Sequence, residues 1–104
     1  MVEVIWTTQS IEDIENIAEY IAKDSEKYAQ IQVQDFFEAT KILEEFPKAG
    51  RVVPEINNKD IRELIVGFYR VIYNIVSKDK IEVLTVHHSY KLLRKRTFKT
   101  RKKK

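Results

Sequence analysis

The chain has 104 residues, 43% hydrophobic and 34% charged, with a formal net charge of +3. That length and balance describe one soluble domain with a modest core. The absence of cysteine excludes disulfides and a thiolate nucleophile and makes a reducing cytoplasm the expected setting.

The first element is a short strand, Val2 to Trp6, whose side chains alternate between faces. This opening has no basic region followed by a long apolar run, so no signal peptide is expected. Ser10 followed by Asp13 resembles a helix start, and Ile11, Ile14, Ala18 and Ile21 repeat at spacings of three and four up to about Lys23. Asp24 and Ser25 both suit the cap of a second helix. Its inner stripe is Ala29, Val33, Phe36, Thr40 and Leu43, and Pro47 and Gly50 stop it. The connection of a few residues predicts an antiparallel helical hairpin. No apolar run approaches the roughly 18 residues of a membrane span.

Beyond Gly50 the period shifts from about 3.6 residues to 2. Ile61–Val66 and Tyr69–Val76 flank Gly67-Phe68, a tight-turn signal, and Ile81–His87 follows the polar turn Ser77-Lys78-Asp79-Lys80. Apolar residues on both faces of 69–76 predict a central strand. The order implies an α+β domain: an N-terminal strand and a helical hairpin packed on one face of a mostly antiparallel, twisted sheet, whose other face is expected to be concave. We place this single domain at residues 1–90. Residues 91–104 carry nine basic side chains and no acidic one, whereas the preceding 90 carry ten basic and sixteen acidic, a balance of −6. Leu92, Leu93 and Phe98 predict a short ordered arm from Lys91 to Phe98, ending in a frayed, solvated terminus. Such a segment attracts polyanions or acidic partners.

Trp6, Ile14, Ile17-Ala18, Tyr20-Ile21, Pro47, Gly50-Arg51, Pro54-Glu55, Ile61-Arg62-Glu63, Tyr69-Arg70-Val71-Ile72-Tyr73 and Val86 to His88 occur in that order. The pattern resembles the RelE/ParE superfamily of toxins from type II toxin–antitoxin systems, over residues 2 to about 90. The resemblance implies a helical hairpin on an antiparallel sheet, a cognate antitoxin as partner and no cofactor. It also implies one of two activities: ribosome-dependent mRNA cleavage in the RelE-like branch, or poisoning of DNA gyrase in the ParE-like branch. The stretch Gly50-Arg51-Val52-Val53-Pro54-Glu55 is closer to the ParE-like side, the polar side chains to the nuclease side. A third reading is an inactive member that still binds its antitoxin.

Metal-free RNA cleavage needs a base for the 2′-hydroxyl, an acid for the leaving oxygen and fixed positive charge on the phosphorane. Glu55 is the candidate base, and Arg62 and Arg70 are candidate bidentate phosphate clamps. His88 and Tyr90 leave the last strand, where the family places an acid, a base or a stacking aromatic. Arg51, Lys91, Arg94, Lys95 and Arg96 are candidate phosphate contacts. Each has a structural alternative: a loop carboxylate for Glu55, a cross-strand charge for Arg62. For Arg70 it is pairing with Glu55 or Glu63, since a guanidinium in an apolar strand is costly unless paired. His87 and His88 point to opposite faces of a strand and cannot share one ion, so no metal is expected. Trp6, Tyr69 and Tyr73 read as packing residues.

Overall fold

The computed structural model describes residues 1–90. Strand β1 (Glu3–Trp6) leads into helices α1 (Thr8–Ala22) and α2 (Glu26–Thr40) and a 3-10 turn, Lys41–Glu44. Strands β2 (Arg51–Val52), β3 (Ile61–Val66), β4 (Tyr69–Ser77) and β5 (Lys80–His88) follow. They form one sheet in the order β1-β5-β4-β3-β2. All neighbours are antiparallel except β1 and β5, which run parallel with Glu3 opposite Lys80 and Trp6 opposite Val83. The α+β expectation and the central place of 69–76 both hold. No helix among the described residues is long and apolar enough to cross a membrane.

Local chemistry sets the helix ends. Thr7, not Ser10, caps α1: its hydroxyl accepts from the Ser10 N–H (3.2 Å) and donates to the Val83 carbonyl (2.7 Å). The parallel pairing of β1 delivers Thr7 to β5, so a cap three residues upstream of the expected one also fastens the helix to the sheet. Ser10 is instead fully buried inside the first turn and donates to the Thr7 carbonyl. Ser25 caps α2 by accepting from the Tyr28 N–H (3.1 Å). At the far end Thr40 donates to the carbonyls of Phe36 and Phe37, the kind of side-chain competition that weakens a helix, and the chain tightens into the 3-10 turn ahead of Pro47.

The main core lies between the helices and the sheet. Ile14, Phe36 and Leu43 meet Val66, Val71, Tyr73, Ile81, Val83 and Val86. Full burial of side chains of this kind stabilises by roughly 1.5–3 kcal/mol each. Val83 and Val86 are three apart yet share this face, because Leu84 is the extra residue of a bulge: Tyr73 pairs with Val83 while Ile72 pairs with Thr85. The opposite face carries a second, smaller apolar cluster. Val53 and Ile56, from the loop joining β2 to β3, pack there on Ile61, Ile72 and Leu84. Two apolar side chains in that loop need burial, and the sheet face supplies it. In the loop Asn57 takes the left-handed conformation (φ 56°), which asparagine tolerates.

Tyr73 is fully buried, and its hydroxyl accepts from the Gly50 N–H (2.9 Å) and donates to the Pro47 carbonyl (2.8 Å). Gly50 must be glycine: a Cβ there would lie 2.5 Å from the Glu63 carbonyl oxygen and 2.7 Å from this hydroxyl. Tyr73→Phe leaves the Gly50 N–H buried without a partner, and we expect a loss of about 1–3 kcal/mol in urea unfolding. Burial also raises the Tyr73 pKa above 10.0, with the Gly50 hydrogen bond opposing, and burial raises that of Tyr69. In the native state these phenols hold their protons to higher pH than in the unfolded chain, so stability falls as pH climbs past about 10. The alkaline slope of the unfolding free energy should be shallower in Tyr73→Phe; an unchanged slope would contradict this assignment.

Candidate functional site

Arg70 stands near the start of β4, opposite Ile65 of β3 and His87 of β5. Alternation therefore puts its side chain on the loop-covered face with Ile72. The residue is buried, and two carboxylates hold its guanidinium. Nε donates to Glu63 Oε1 (2.6 Å), while Nη1 and Nη2 donate to Glu55 Oε2 and Oε1 (both 2.8 Å). Glu63 lies on the same face of β3, with its side chain fully buried, and its second oxygen accepts from Arg51 Nε (2.5 Å) on β2. The result is a line of alternating charge, Arg51–Glu63–Arg70–Glu55, joining β2, β3, β4 and the loop at 53–60. The bidentate bond to Glu55 is the largest cause raising the Arg70 pKa above the usual arginine value; burial opposes it and Glu63 adds to it. Arg70 is thus charged at every working pH, and its charge is balanced within the protein. Both structural alternatives foreseen for Arg70 occur together.

The other nominated residues do not gather around it. Arg62 pairs with Tyr73, which turns its side chain to the helix side of the sheet, opposite Arg70. There it donates to the carbonyls of Lys59 (2.9 Å) and Gly50 (2.9 Å), bracing the chain ahead of β2. His88 pairs with Tyr69, also on the helix side. Its ring lies parallel to that of Phe68 (centroids 6.4 Å apart) and near those of Tyr69 (5.5 Å) and Tyr90 (5.1 Å). Arg51 belongs to the charge line, although 64% of its side chain is exposed. Lys91, Arg94, Lys95 and Arg96, with the rest of the predicted arm, lie outside the described residues. Glu55 and Arg70 come together; Arg62, His88 and Tyr90 stand apart from them.

Asp13 and His87 both meet the Thr85 hydroxyl, a grouping that the sequence did not announce. Asp13 Oδ2 accepts from the Val86 N–H (3.0 Å) and from the Thr85 hydroxyl, and His87 Nε2 lies 3.1 Å from Thr85 Oγ1. Because β1 pairs with β5 only as far as Val83, Asp13 supplies an acceptor to the strand beyond that point. Residues so far apart in sequence carry no local signal of meeting.

The chain matches, over residues 4–92, the family described as ParE toxin of type II toxin-antitoxin system, parDE. It belongs to the ParE toxin family. It is thus a toxin of the type II toxin–antitoxin class, with a cognate antitoxin as partner. Toxin RelE2 of Caulobacter vibrioides is 28% identical over 92 residues, covering 88% of this chain and all of that relative. The structure titled "Chromosomal ParDE TA system from P. aeruginosa" shares the fold with a TM-score of 0.69 and 22% identity, over 85% of this chain and 96% of that one.

Arg70→Met should destabilise this ParE-family toxin by about 3–5 kcal/mol, because it leaves the buried Glu63 with only the half-exposed Arg51 as a charged partner and takes both bonds from Glu55. Arg51→Met, at the exposed end of the line, should cost at most about 1 kcal/mol. Chemical denaturation of both variants checks the contrast, and equal losses would contradict it.

Proposed function

We propose that this toxin arrests growth by binding DNA gyrase and does not cleave messenger RNA. The observation that carries the reading is the engagement of Arg70 by Glu63 and Glu55. A metal-free nuclease needs a base, an acid and a cationic clamp within hydrogen-bond reach of one scissile phosphate. Here the best-placed guanidinium has its fork filled by the carboxylate nominated as base, so a phosphate must displace Glu55 to bind. The second guanidinium, Arg62, is on the reverse face of the sheet and holds backbone carbonyls. The ParE-like branch is the one associated with gyrase, and the family match favours that branch.

A binding mechanism needs an exposed surface with anchors instead of a reactive cluster. Phe68 (68% exposed) and Tyr90 (84% exposed) flank the His88 ring at one end of the sheet. Exposed aromatics of this kind dominate protein-protein hot spots. The nine basic residues of 91–104 follow directly in sequence and add long-range attraction to an acidic or DNA-bearing target. Such a target places the toxin's action in the cytoplasm.

The purified toxin should inhibit supercoiling of plasmid DNA by gyrase and leave a ribosome-bound reporter message intact. Phe68→Ala combined with Tyr90→Ala should weaken the gyrase effect by about 10–100-fold. Message cleavage at defined positions by the wild-type toxin, with gyrase unaffected, would overturn the proposal.

A further inference from the structure

The sheet face turned away from the helices holds a second buried carboxylate besides Glu63. Ile81 and Val83 belong to the helix-side core, so Glu82 between them points to the other face. It stands opposite Ile5 of β1 and Asn74 of β4, on the β1 side of the patch where Val53 and Ile56 pack. Glu82 is only 6% exposed. A carboxylate kept this far from water is stable as an anion only with a cation or hydrogen-bond donors close against it. Neither register partner carries a charge. The strip of sheet along β5, from Glu82 to His87, therefore has the chemistry of a seat for a basic segment.

We infer that the chain's own residues 91–98 fold back over this strip and that Arg94 and Arg96 hold Glu82, making the basic arm a strap closed on β5. Origin, reach and composition select this occupant. The Ser89 N–H donates to the Phe68 carbonyl (2.7 Å), so the chain leaves directly from the end of β5, beside the turn that joins β3 to β4. Folded back in extended form, at about 3.3 Å per residue, the arm brings Arg96 nearly level with Glu82. The bulge at Leu84 shortens that path by one residue. Extended alternation sets Leu92, Arg94 and Arg96 on one side of the arm, an apolar anchor followed by two guanidinium groups. Each guanidinium can grip a carboxylate through two N–H groups. Residues 91–104 hold no acid that would compete for them. Tethering gives the arm an effective concentration in the millimolar range, above that of a second copy in dilute solution. Lys99 to Lys104 extend past the strip, so the inference is independent of the gyrase proposal.

Two measurements on the full chain test this. Trypsin cleavage after Arg94, Lys95 and Arg96, followed by mass spectrometry, should be about 10-fold faster in Glu82→Gln than in wild type, because cleavage follows the population of the open arm. Glu19→Gln removes the same charge from the exposed side of α1 and should leave the rate unchanged. The chain has no cysteine, so a dye on Thr97→Cys reports on the arm alone. Its fluorescence anisotropy should decay with the tumbling of the whole protein, and a fast nanosecond decay should appear when Glu82→Gln is added. If Glu82→Gln melts far below wild type, Leu92→Ser with Leu93→Ser replaces it in the anisotropy measurement and should free the dye in the same way. Equal cleavage rates in wild type and a folded Glu82→Gln would overturn the inference, as would a fast-moving dye in the chain without further substitution. Slow dye motion that appears only at raised protein concentration would also overturn it, assigning the strip to the arm of a second copy. A failure of the gyrase reading leaves both measurements intact, because neither uses the target.

Discussion

A guanidinium buried in the middle of a β-sheet cannot exist without compensation, and in this protein the compensation organises half of the fold. Arg70 is held by Glu63 across the ladder and by Glu55 from the loop above, and Glu63 in turn holds Arg51. Removing a charge of this kind from water costs several kcal/mol, which is recovered only with good geometry and saturated hydrogen bonds. The two bonds to Glu55 draw down the loop at 53–60, and Val53 and Ile56 on the same loop bury themselves against Ile72 and Leu84. Charge pairing and apolar burial therefore act on one segment in the same direction. The second core, the position of β2 and the cover over this sheet face all follow.

That arrangement bears directly on chemistry. A residue set that looks like a nuclease site in one dimension contains an acid, two arginines, a histidine and a tyrosine. In three dimensions the acid and one arginine neutralise each other, the second arginine holds carbonyls behind the sheet, and the histidine sits among aromatic rings. What remains exposed is suited to binding. Aromatic side chains crowd one end of β4.

Much of the fold was legible in the sequence because it is written in local periods. The 3.6-residue stripe through Ile14 and Ala18, the stripe through Ala29, Phe36 and Leu43, and the turn at Gly67-Phe68 each predict the element that forms. The two-sided apolar character of 69–76 announces a central strand. The cost of a lone charge in that strand announces that Arg70 has a partner. Register is the quantity that local patterns do not contain. Arg62 and Arg70 look equivalent along the chain, and only the pairing of Arg62 with Tyr73 and of Arg70 with Ile65 separates them to opposite faces. The bulge at Leu84 breaks the alternation that a period-2 reading assumes. Thr7 outranks Ser10 as a cap because β1 pairs in parallel with β5, and Asp13 meets Val86 for the same reason. All four depend on contacts between distant segments.

The central claim is that Arg70 is a structural tie and not a phosphate clamp. The most direct test replaces the buried cluster as a unit with apolar side chains of similar volume, Arg70→Met, Glu63→Leu and Glu55→Leu together. It then measures growth arrest by the variant once its fold has been verified by thermal melting. Replacing a whole buried ion cluster in this way is often neutral or stabilising. The account predicts a folded protein that still arrests growth. A folded variant that had lost its toxicity would contradict it.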